Sequence, residues 1–335
     1  MIKKFFKNHS IHKKIVKYFD YIFLLNLPFF FISLMVFCLG MSASYYSTEN
    51  KIFYFNLSFN NQELIFFFFL FLFLSLINVE NQLKEIKDIK WDMVNGKHKK
   101  NLNYLYVCPN FVSLKKVESL FNFRLLLFIS LPLIYLSWQT YIFLIFHYIF
   151  NLLMNNNSKT LSKNYMKYFL SFNNLYLLYL SGSIYYMNYN ISFHIYNYFL
   201  FFLASIPIII MSDIALSKKI KKTSNFTKKS IIFNSLISVL MLIILFIISF
   251  NDSNPIYSHY SLIISPFYFF ALFRAKDKDF YRAYNYPIMI MNVLISWTIY
   301  PILLVFQLFV YYFSKYYYWH RFNFHFPKFV IEENE

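Results

Sequence analysis

The sequence predicts an all-α, polytopic membrane protein with nine transmembrane helices. Three observations carry that prediction. The 335 residues are 59% hydrophobic and 24% aromatic, and only 14% are charged, against about a quarter charged in soluble domains. Apolar runs of about 18 residues or more recur along the chain, each long enough to cross a bilayer core. The lysines and arginines between those runs fall in alternate loops.

The spans are expected at 21–45, 63–82, 117–137, 139–155, 168–187, 193–215, 230–250, 257–273 and 286–313. Lys and Arg number six before the first span. The following loops hold one, eight, none, three, none, six, none and four, and the tail holds three. High and low counts alternate without a break. The positive-inside rule then puts the N-terminus in the cytoplasm and the C-terminus outside the cytoplasmic (inner) membrane. The same alternation accounts for the formal charge of +17, so the lipid bilayer is an expected partner and nucleic acid is not. Cys38 and Cys108 are the only cysteines, which excludes a disulfide framework and a thiol metal cluster.

Each element follows from its residues. Residues 1–20 form a basic cytoplasmic segment. The apolar run at 21–45 exceeds the roughly 7–15 residues of a signal-peptide core, so it reads as a retained first span. The second span ends in an acidic segment, Asn81 to Asp92. Spans three and four lead to a plain polar loop that carries Lys159, Lys163 and Lys167. Span six ends on Asp213. Gly40 and Gly182 lie within spans, where a missing side chain lets backbones approach closely. His147, inside span four and without an acidic neighbour, reads as a packing histidine. Between spans eight and nine, Arg274, Lys276, Asp277, Lys278, Asp279 and Arg282 read as a solvated cytoplasmic loop. The nine-helix domain is expected over 21–315, with an extracytoplasmic tail at 316–335.

The acidic segment is the most informative. Asn81, Glu85, Asp88 and Asp92 are spaced by four, three and four residues. In a helix these side chains fall on one face, within roughly 60° of each other. Three carboxylates with an Asn above them can hold Mg²⁺, which takes hard oxygen ligands and keeps waters and phosphates in its shell. Lys84, Lys87, Lys90 and Lys97 surround the stripe and can neutralise a diphosphate. The alternative is a solvated helix end whose acids pair with nearby lysines, and such pairs contribute little.

Lys84-Glu85-Ile-Lys-Asp88-Ile-Lys-Trp-Asp92, followed by Asn95-Gly96-Lys97, resembles the first motif of the UbiA superfamily of intramembrane prenyltransferases, which is similar to Asn-Asp-x-x-Asp-x-x-x-Asp. Glu85 stands where the first Asp is usual and Lys84 where the Asn is usual. Asn81, one turn earlier on the same face, is placed to stand in for that Asn. The nine spans, the orientation and the basic loops after spans two and six resemble the same family. Its second motif, similar to Asp-x-x-x-Asp-x-x-x-Asp, corresponds to Asp213-Ile-Ala-Leu-Ser217-Lys-Lys-Ile-Lys221, where Ser217 and Lys221 replace two acids. The loop after span four lacks the Pro and Arg of the family's Tyr-Ser-x-x-Pro-x-Arg-x-Lys pattern.

The resemblance implies a UbiA-like helical bundle that moves a polyprenyl group from its diphosphate to an aromatic or lipid-like acceptor. It implies Mg²⁺ held by Glu85, Asp88, Asp92 and Asp213, with Asp88 and Asp92 essential to catalysis. Asn81, Lys97, Lys159 and Lys218 would meet the diphosphate. Two other functions fit the same residues. One is a non-catalytic protein of the same fold that binds lipid or prenyl chains or acts as a scaffold. The other is a small-molecule transporter with Glu85 or Asp88 as a proton site.

Overall fold

A computed structural model describes residues 33–43, 138–157, 164–186, 191–219, 228–251, 255–298 and 302–322, together with Ile15, Val16, Tyr18, Phe19, Phe23, Leu70 and Leu74. Among the described residues there are eight helices and no strand: α1 (Ser33–Ala43), α2 (Trp138–Asn157), α3 (Asn164–Tyr186), α4 (Ile191–Lys219), α5 (Lys228–Asn251), α6 (Pro255–Arg274), α7 (Asp277–Thr298) and α8 (Ile302–Phe322). Five of these, α2 to α6, overlie the expected spans from 139 to 273.

The chain divides into two compact units. The larger holds α1 from Met35 onward, α2 from Gln139 onward, and α3 to α7. Within it α4 is the hub, packed against α3, α5 and α7, while α6 lies against α5 and α7. The three helices long and apolar enough to cross a membrane, among the described residues, are α4, α5 and α6. Burial separates them: 61% of the apolar window is buried in α4, against 33% in α5 and 39% in α6. The outer face of α5 shows why. Phe233, Leu236, Leu240, Ile244 and Ile247 recur every three or four residues and are all exposed. An apolar stripe of that length is a liability in water and an ordinary lipid-facing surface in a bilayer.

Serines sit inside this apolar bundle because each hydroxyl is satisfied by its own helix. Ser205 donates to the Phe201 carbonyl at 2.7 Å, Ser238 to Asn234 at 2.9 Å and Ser261 to Tyr257 at 2.8 Å. A buried hydroxyl left without a partner would cost more than the bond gains. Pro207, Pro266 and Pro287 lie within α4, α6 and α7, a placement that membrane helices tolerate because neighbouring groups satisfy the freed carbonyls.

The glycine expectation is met where α1 crosses α3. A Cβ built on Gly40 would overlap the carbonyl oxygen of Tyr179, and one built on Gly182 would overlap that of Phe37. The two helices touch backbone to backbone there. Between α3 and α4 the packing is aromatic. Phe172 meets Tyr198 edge-on at 5.0 Å between ring centroids, Tyr176 meets Tyr198 at 4.5 Å, and Tyr179 lies against Phe201 at 4.8 Å. These are favoured aromatic geometries.

The smaller unit includes α8 and the described residues before Met35. Phe23 stacks on Tyr317 at 3.8 Å, and Phe19 meets Phe313 edge-on at 4.9 Å. These contacts tie the start of the chain to its last helix.

The structure differs from the sequence reading after residue 273. A single span was expected over 286–313. Instead α7 opens at Asp277 and ends at Thr298, α8 opens at Ile302, and the two helices belong to different units. Pro301 lies between them. Helix α8 also runs to Phe322, past the expected tail boundary at 315.

Candidate functional site

The connections 187–190, 220–227, 252–254 and 275–276 are short. Even fully extended, eight residues reach less than about 29 Å, too little to return along a helix such as α4. Each helix therefore reverses its predecessor. The start of α3, the end of α4, the start of α5, the end of α6 and the start of α7 share one end of the larger unit. By the loop charges this is the expected cytoplasmic end.

That end carries Asp213, the predicted acid at the end of span six. Tyr168, near the start of α3, donates its hydroxyl to Asp213 Oδ2 at 2.8 Å. Antiparallel helices bring the two together: Tyr168 lies about 27 Å and Asp213 about 33 Å along their helices from the connection between α3 and α4, at 1.5 Å per residue. Tyr168 is buried and Asp213 half-buried. A hydroxyl donor on a carboxylate fixes its rotamer. Tyr168 was missed in the sequence reading. Its signal was there: Tyr168, Phe172, Tyr176 and Tyr179 follow at intervals of four, four and three residues, a single helix face that the structure turns toward α4.

The backbone of α4 continues as a helix through Lys219, about one and a half turns beyond Asp213. Lys218 lies in the last turn of the same helix. Asn81, Glu85, Asp88, Asp92, Lys97 and Lys159 lie outside the described residues. Among the described residues no three His, Cys, Asp or Glu side chains are grouped to hold a metal ion.

A second charged group at the same end corrects the sequence reading. Asp279 was expected in a solvated loop. It stands in the first turn of α7, its amide bonded to the Lys276 carbonyl at 2.9 Å, and it is 1% exposed. The physical reason is ionic. Arg274 approaches Asp279 Oδ1 at 3.2 Å and Arg282 approaches the same oxygen at 3.9 Å. A carboxylate can be taken from water only when such partners compensate its lost hydration.

His147 behaves as expected for a packing residue. It is 4% exposed, and its Nδ1 lies 2.7 Å from the Asn174 carbonyl oxygen. A carbonyl only accepts, so Nδ1 carries the proton. The bond joins α2 to α3.

No protein-family profile matches this chain. No curated protein matches it either. Its fold is similar to a solved structure of digeranylgeranylglyceryl phosphate synthase, with a TM-score of 0.53 and 17% sequence identity, over 83% of this chain and 96% of that one. At that identity the likeness is one of fold. The described residues are helical throughout their elements, as expected from the sequence.

Proposed function

We propose that this protein is a UbiA-like integral membrane prenyltransferase that moves a polyprenyl group from its diphosphate to a hydrophobic acceptor. One observation carries the reading: the fold of the larger part of the chain is similar to that of digeranylgeranylglyceryl phosphate synthase, and the sequence independently carries a spaced acidic stripe where such a fold would use one. In this reading nine spans cross the inner membrane, with the N-terminus in the cytoplasm and the C-terminus outside.

Glu85, Asp88 and Asp92 would present one carboxylate face, and Asp213, which accepts a hydrogen bond from Tyr168, would be the remaining acid of the second motif. Bound Mg²⁺ would act as a Lewis acid on the leaving diphosphate. Asn81, Lys97, Lys159 and Lys218 would bind the diphosphate oxygens. The apolar helices would exclude water from the allylic cation until the acceptor attacks.

Replacing Asp88 or Asp92 with Ala should abolish Mg²⁺-dependent prenyl transfer in isolated membranes while leaving the protein in them. Wild-type membranes that transfer no prenyl group from donors of any common length would sink the reading. A second reading is favoured by Ser217 and Lys221, which stand where acids are usual. It is a non-catalytic relative that binds a prenyl or lipid chain. Prenyl-diphosphate binding that is indifferent to Mg²⁺, without turnover, would support it.

A further inference from the structure

The corner between α6 and α7 holds an arrangement that the prenyl-transfer reading does not use. Asp279 is almost wholly buried, and neither carboxylate oxygen has a hydrogen-bond partner among the described residues. Its compensation comes from Arg274 and Arg282, which converge on one oxygen from the last turn of α6 and the first turns of α7. Both arginine side chains remain 44% exposed. Arg274 also lies over the Phe270 ring, 5.4 Å from its centroid.

The result is a pair of cations held from below. A guanidinium carries five N–H donors in a planar fork, and one shared oxygen leaves most of them directed elsewhere. The connection reinforces the placement. Ala275 takes a left-handed φ of 48°, which turns the chain sharply out of α6 and into α7. Arg274 ends the candidate membrane-crossing window Ile256–Arg274, and the end of a span is where a bilayer presents its headgroups. From Arg274 to Arg282 the segment carries four basic and two acidic residues, a surplus of positive charge.

We propose that the α6–α7 corner is a phosphate-binding site, in which Arg274 and Arg282 grip the oxygens of a phosphate group and Asp279 is the positioning residue that sets their spacing. Planar forks match phosphate oxygens bidentately. The group is either the headgroup phosphate of an anionic membrane lipid or a free diphosphate at the cytoplasmic face. The site is defined by its own residues and stands whether or not the protein transfers prenyl groups.

The test uses the full chain in phosphatidylcholine nanodiscs, without divalent cations. Inorganic pyrophosphate binding is titrated calorimetrically in one arm. In the other, exchange into discs containing phosphatidylglycerol is read as a rise in unfolding temperature. The source is the arm that responds. The double variant Arg274→Gln, Arg282→Gln should lose about tenfold or more of the response. Lys276→Gln removes a neighbouring exposed charge and should stay within about twofold of the wild type. Asp279→Asn should weaken binding while both arginines remain. If the Gln variant does not fold, Arg274→Lys with Arg282→Lys decides, since it keeps the charge and removes the forks; weaker binding is expected. No response in either arm, a loss from Lys276→Gln as large as from the arginine variant, or undiminished binding with two lysines would each overturn the proposal.

Discussion

The hydroxyl of Tyr168 donates to Oδ2 of Asp213 at 2.8 Å, across 45 residues of sequence. This bond joins the first turns of one helix to the last turns of the next. It gives the Asp213 carboxylate a fixed orientation. Tyr168→Phe keeps the ring and removes only the donor. It should lower stability by about 1 kcal/mol. In a double-mutant cycle with Asp213→Ala, thermal unfolding should show a coupling of about 0.5 kcal/mol or more. Additive effects would mean the bond does not form in the membrane.

The close crossing of α1 and α3 at Gly40 and Gly182 makes a prediction about packing. A methyl at either position meets a carbonyl oxygen of the facing helix backbone, and backbone cannot rotate away as a side chain can. Gly182→Ala should destabilise by about 1–3 kcal/mol through overpacking. Gly182→Leu should prevent α1 from docking on α3. The unfolding temperature in detergent and the fraction of monodisperse protein measure both effects. An alanine variant as stable as the wild type would show that the helices stand further apart.

His147 separates packing from chemistry. Its ring is buried, and its proton is committed to the Asn174 carbonyl. His147→Ala should cost about 2 kcal/mol or more, the usual loss for emptying a buried position and leaving a polar group unpaired. Any prenyl transfer measured per folded molecule should be unchanged. A variant that stays stable but loses turnover would move His147 into the reaction.

Ala275 occupies a backbone conformation that glycine adopts without strain. At φ 48° a Cβ costs roughly 1 kcal/mol. Ala275→Gly should therefore raise or preserve the unfolding temperature, although glycine is usually the weaker residue elsewhere in a helix. A clear drop would show that the Ala275 side chain makes a contact worth more than the strain.

Some of these features were legible in the chain and some were not. The expected spans from 139 to 273 reappear as helices because length and hydropathy are local properties. Gly40 and Gly182 were readable as close-approach positions because few other residues permit such contact. Asp279 was misread because its sequence neighbours are charged, and a charged neighbourhood looks solvated until an arginine from the preceding helix covers it. The expected single span at 286–313 corresponds instead to parts of two helices, α7 and α8, because an apolar run fixes hydropathy but not where one helix ends and the next begins.

By itself the sequence determined the helical membrane character of the chain, set by the length and hydropathy of its apolar runs. The tertiary structure decided which groups meet. It paired Tyr168 with Asp213, seated His147 on Asn174, and buried Asp279 beneath Arg274 and Arg282. Spacing along a helix fixes a face, but only the packing of antiparallel helices determines what that face touches, because hydrogen bonds and ion pairs act over a few ångströms of space irrespective of their separation in sequence.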